Sequence, residues 1–123
     1  MHKMPIAVAA LLMCAAPSFA GDEVMTNYFG NTVVTKSAMG ESHMHYRADH
    51  SFDVALMAMG MSHDTAGTWK IDDKGQLCRT YAQVPPGMPN PLCTVWAAHK
   101  IGDRWKMDLN GSTRELTLVK GIE

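Results

Sequence analysis

The sequence predicts an all-β domain: an antiparallel up-and-down meander of about eight short strands, forming a barrel or half-barrel, with a short N-terminal helix. Two observations predict it. Between residues 32 and 119 apolar and polar side chains alternate in short runs, the two-residue period of strands whose successive side chains face opposite ways. Gly, Asn or Asp breaks these runs at short and even intervals, which favours hairpins between neighbours in sequence. No internal repeat or low-complexity segment interrupts the pattern.

The first 20 residues stand apart from that domain. A weakly basic Met1-His2-Lys3, an apolar run over 6–16 and small residues at Ser18 and Ala20 read as a signal peptide, with cleavage expected after Ala20. The run is shorter than the roughly 20 residues that span a bilayer, so no membrane span is expected. Met13 is not small, which argues against lipidation at Cys14. The expectation is therefore a signal peptide over 1–20 and one β domain over 21–123, periplasmic or secreted. Residues 1–20 carry Lys3 as their only charged side chain, so their removal takes the net charge from −1 to −2, with His neutral. Such a balance excludes a nucleic-acid binder. It also leaves Cys78 and Cys93 as the remaining cysteines, and in an oxidising compartment a bond between them is expected, with Cα atoms about 4.4–6.8 Å apart.

Taken in order, residues 22–29 suit a short helix, with Asp22 and Glu23 in its first turn and Gly30 to end it. The β-branched stretch 32–35 reads as a strand, followed by a connection through Gly40. The central stretch 42–63, SHMHYRADHSFDVALMAMGMSH, opens with two strands whose faces can be assigned. Placing Tyr46 beside Phe52 and Met44 beside Val54 keeps His43 and His45 out of the apolar core, where they would be costly. That register needs a three-residue turn, Ala48-Asp49-His50, with His50 in the left-handed position. It also sets His43 opposite Ala55, His45 opposite Asp53, and Met57 diagonal to His43. Residues 60–67 read as a polar link. The stretch GTWKIDDKGQLCRTY (67–81) is a hairpin turning at Asp72-Asp73-Lys74-Gly75, and in it Leu77, Arg79 and Tyr81 alternate with polar neighbours. The Pro-rich segment VPPGMPNP (84–91) is a stiff loop clasped by Cys78 and Cys93. Strands over 93–99, 104–109 and 114–119 follow, with turns at Gly102 and Asn110-Gly111.

Gly30-Asn31-Thr32 after a short helix, Tyr46 before a turn, Gly67-Thr68-Trp69 running into Leu77-Cys78, then Cys93 and a terminal hairpin resemble small secreted lipocalin-like domains of unknown function from Gram-negative bacteria. The turn after Tyr46 departs from that pattern, carrying Asp49-His50 where such proteins tend to have Asp-Gly. The resemblance implies a fold and a compartment and brings no activity with it.

Three functional readings follow from the residues. Ser62-His63-Asp64 has the residue types of a hydrolytic triad, but adjacent strand residues point apart and no nucleophile elbow is present, so the domain is read as non-catalytic. The sharpest reading is a soft-metal site, copper above all, built from thioether and imidazole on the reverse face of the central hairpin: His43, His45, Met57 and Met59, with Met61 and His63 continuing the line. The alternative is a small apolar ligand inside the barrel, against Met44, Tyr46, Phe52, Val54 and Trp69. The third is a protein interface, since an apolar outer face needs a cover: the N-terminal helix, a partner, or a second copy of the chain in a homodimer.

Overall fold

The computed structural model describes residues 21–84, 87–109 and 111–123. The expected signal peptide, and Asn110 of the last expected turn, lie outside the described residues. A 3₁₀ helix, Asp22–Tyr28, is followed by β1 (Thr32–Ser37), β2 (Gly40–Tyr46), β3 (Ser51–Ala58), β4 (Met61–Ile71), β5 (Gln76–Tyr81), β6 (Leu92–Val95), β7 (Arg104–Leu109) and β8 (Ser112–Val119). All pairings are antiparallel, in the order β6-β5-β4-β3-β2-β1-β8-β7. The meander thus curls until β8 meets β1, leaving β6 and β7 as the two edges of a lipocalin-like half-barrel.

The central hairpin has the expected register. Tyr46 pairs with Phe52, Met44 with Val54, His43 with Ala55 and His45 with Asp53. Its turn places His50 at φ 72°. That conformation is disfavoured for a residue with a Cβ, and the surroundings hold it: the imidazole stacks on Trp69 with ring centroids 4.0 Å apart, and Nε2 lies 2.7 Å from Asp22 Oδ2.

The expected link over 60–67 is instead the first half of β4. Met59 and Gly60 both adopt positive φ, 54° and 78°, and close a two-residue turn between Ala58 and Met61. Two left-handed residues in succession match the twist of a hairpin, a role more often filled by Asn-Gly. The strand expected over 93–99 ends at Val95. Beyond it Trp96 is buried and the chain passes along the 3₁₀ helix, whose Tyr28 hydroxyl donates to the Ala97 carbonyl (2.7 Å) and whose Asn27 amide donates to that of His99 (2.9 Å).

The helix plugs one end of the barrel rather than covering its outer face. Met25 and Tyr28 are fully buried in a cluster with Tyr46, Phe52, Trp69, Leu77 and Leu118. On the outside, the C-terminal residues fold over β1: Thr32 Oγ1 donates to the Gly121 carbonyl (2.7 Å) and accepts from the Glu123 amide (2.9 Å). Cys78 and Cys93, directly opposite each other on β5 and β6, are disulfide-bonded as expected. Their Cα atoms are 3.9 Å apart, closer than expected. Among the described residues no helix is long and apolar enough to cross a membrane.

Candidate functional site

The size of the inward side chains divides the interior into two levels. At the plugged end the aromatic rings touch one another: Tyr28 lies 5.3 Å from Trp96 and 6.3 Å from Tyr46, and Tyr46 lies 6.1 Å from Phe52, between centroids. Beyond this floor the inward side chains shorten to Val33, Thr35, Ser42, Met44 and Val54. They leave a cavity of about 580 Å³, within the usual size range of small-molecule sites. Its mouth lies among the turns at the far end. Leu56 of β3 and His63 of β4 stand there, with Gln83, Val84 and Met88 from the loop after β5. Asn90 pins that loop as a strand partner would, accepting from the Tyr81 amide (2.8 Å) and donating to its carbonyl (3.1 Å). Exposed methionines crown the neighbouring turns, Met39 between β1 and β2, Met59 between β3 and β4, and Met61 at the start of β4.

The wall of the cavity carries one buried charge. Arg79, only 6% exposed, occupies an inward position of β5 between Leu77 and Tyr81. Its Nε donates to the Tyr46 hydroxyl (2.7 Å) and its Nη1 to Thr94 Oγ1 (3.3 Å), and its guanidinium carbon lies 5.1 Å from the Trp96 ring centroid. The ring contributes cation–π attraction. No ion pair among the described residues includes Arg79 or Arg114, a second cation lining the cavity.

Burial dominates the tyrosines around it. It pushes the pKa of Tyr46 up, against the pull of Arg79, and that of Tyr81 up, against Arg79 and Arg114. It raises that of Tyr28 as well, helped by Tyr46 and Asp103. These are all three tyrosines of the chain. A folded-state pKa above the unfolded value of about 10 means that the native state holds protons the unfolded chain has released, so stability is complete below that pH and falls above it. In an alkaline titration followed at 295 nm, tyrosinate should therefore appear together with the loss of far-ultraviolet dichroism. Tyrosinate forming while the fold is intact would contradict the burial.

The residues expected to bind copper are distributed differently from the expectation. His43, His45 and Met57 do share the outer face. Both ring nitrogens of His45 are engaged, Nδ1 with Asp53 Oδ2 and Nε2 with the Glu123 carbonyl, each at 2.9 Å, and His43 Nε2 lies 2.7 Å from Glu41 Oε2. Met59 sits in the turn, 91% exposed. Because β4 starts directly after that turn, Met61 pairs with Ala58 and His63 with Leu56, so both fall on the face opposite Met57, and His63 joins the cavity mouth. The expected line of ligands is broken there. Among the described residues the one group of three His, Cys, Asp or Glu side chains close enough to share an ion is Asp72 with Cys78 and Cys93, whose sulfurs are bonded to each other.

Of the residues expected around an interior ligand, Met44, Tyr46 and Val54 line the cavity, while Phe52 and Trp69 are buried in the core. Sequence reasoning passed over Arg79, Thr94, Trp96 and Arg114. A signal was present for two of them: Arg79 and Arg114 keep step with Leu77 and Leu116 at the two-residue period, which puts a charge on an inward face.

No protein-family model, curated protein or solved structure matches the chain. The chemistry of the cavity is then the guide to its use. An apolar wall with a few polar groups set into it can hold an amphipathic molecule out of water.

Proposed function

We propose that the protein is an exported, non-catalytic binding protein that carries a small, largely apolar ligand inside its half-barrel. The observation that carries this reading is the cavity of about 580 Å³ between the aromatic floor and the turns at the mouth. The disulfide supports export, since such bonds persist in oxidising compartments.

Leu56 and Met57 provide the test, because they are adjacent in β3 and only Leu56 lines the cavity. The uncharged probe N-phenyl-1-naphthylamine should fluoresce on binding the wild-type protein. Leu56→Trp, which places an indole in the mouth, should weaken binding about tenfold or more, a loss of roughly 1.4 kcal/mol. Met57→Trp, facing outward, should leave it unchanged. No fluorescence enhancement with the wild-type protein, or equal binding by the two variants, would overturn the reading.

A further inference from the structure

Four buried side-chain atoms among the described residues have no hydrogen-bond partner: Asp22 Oδ1, Thr65 Oγ1, Trp96 Nε1 and Arg114 Nε. The last three belong to residues that line the one cavity described above. Unpartnered buried polar atoms are uncommon and costly, so three around one space call for a common explanation. Their chemistry is one-sided. Trp96 Nε1 and Arg114 Nε can only donate, and a hydroxyl such as that of Thr65 can donate as well.

The charge of the lining points the same way. Arg79 and Arg114 are its cations, and among the described residues no Asp or Glu lines the cavity. The partners that Arg79 does have, Tyr46 and Thr94, are uncharged hydroxyls, and burial holds Tyr46 in that state. A buried guanidinium without a counter-charge is among the more expensive groups in a protein interior. Packing against Trp96 offsets part of that cost, but it satisfies no N–H of Trp96 or Arg114.

We infer that the ligand is an amphiphilic anion, an apolar body bearing one oxyanion head group, and that Arg79, Arg114 and Trp96 Nε1 receive the head group. This rests on the cavity being a ligand site. An oxyanion supplies what the site lacks: negative charge for two guanidinium groups and acceptor lone pairs for the orphaned N–H donors. Charge-assisted hydrogen bonds of this kind are about twice as strong as neutral ones. The apolar body then lies against Met44, Val54 and Leu56, toward the mouth.

The test compares dodecanoate, dodecan-1-ol and dodecyltrimethylammonium, which share a chain and differ in head-group charge. Each displaces N-phenyl-1-naphthylamine from the full mature protein near neutral pH, where the carboxylic acid is ionised. Dodecanoate should bind at least about tenfold more tightly than the alcohol, and the cation more weakly than either. Arg79→Met, which keeps the length of the stem, should abolish the preference, so that dodecanoate binds no more than about twofold more tightly than the alcohol measured in the same variant. Arg114→Met should reduce the same ratio and serves if Arg79→Met does not fold. An alcohol that binds as tightly as the carboxylate to the wild-type protein overturns the inference without any variant. So does a carboxylate preference that survives in both variants. If the probe binds and the carboxylate shows no preference, the head-group assignment alone fails; if neither probe nor amphiphile binds, the cavity reading fails with it.

Discussion

Trp69→Ala is expected to lower stability by about 3–5 kcal/mol, a large share of the 5–15 kcal/mol typical of such a domain. Trp69 is 2% exposed and works in three ways at once. Its ring fills the floor, 5.9 Å from Phe29 and 6.4 Å from Tyr46 between centroids. Its other contact is the stack on His50, which supports a positive φ in the turn between β2 and β3. Finally, its Nε1 donates to the Arg47 carbonyl (2.9 Å), which loses that partner in the variant. Truncation thus removes volume, orphans an acceptor and unsupports a strained turn. Urea unfolding should show the loss, and Trp69→Phe should restore most of it apart from the hydrogen bond, worth roughly 1 kcal/mol. A loss below about 1 kcal/mol for Trp69→Ala would mean that the floor repacks freely.

Removing the disulfide, by reduction or as the Cys78→Ala, Cys93→Ala double variant, is expected to lower stability by about 3 kcal/mol. The figure follows from closing a loop with a sequence separation of 15 in the unfolded chain. The folded state adds a local effect. β6 is a four-residue edge strand whose ladder runs to β5 alone, and the bond ties the two at the base of the loop that carries Val84 and Met88 over the mouth. Amide exchange over 88–95 should therefore accelerate more than in β3 or β8. Equal urea midpoints for the oxidised and reduced protein would refute the prediction.

The central hairpin was legible because the wrong choice was expensive: a slip by one residue would have buried His43 and His45 without partners and exposed Phe52 and Val54. The meander was legible for a related reason, since local alternation and turn residues agree along most of the chain. Met59-Gly60 was not, because the left-handed conformation there is imposed by the twist of β3 and β4 on a residue that does not favour it. That single misreading moved Met61 and His63 onto the wrong face and carried the expected line past Met57. The position of the 3₁₀ helix inside the barrel also escaped, because amphipathicity says that a face is buried and not against what. The polar lining of the cavity needs three dimensions. Arg79, Trp96 and Arg114 are far apart in sequence, and the closure that brings them around one space comes from strand pairing.

The pairing of β1 with β8 sets an order in time. Every other ladder joins strands that are neighbours along the chain, the kind of contact that forms within microseconds. The β1 to β8 ladder, with Val33 against Leu118 and Thr35 against Leu116, can form only when almost the whole domain is closed into one loop, and contacts of that separation slow folding. Until then β7 and β8 pair only with each other and the cavity has no wall on that side. A chain still missing Ser112–Val119 can pair six strands and yet enclose nothing, so the cavity closes in the same step as the fold itself.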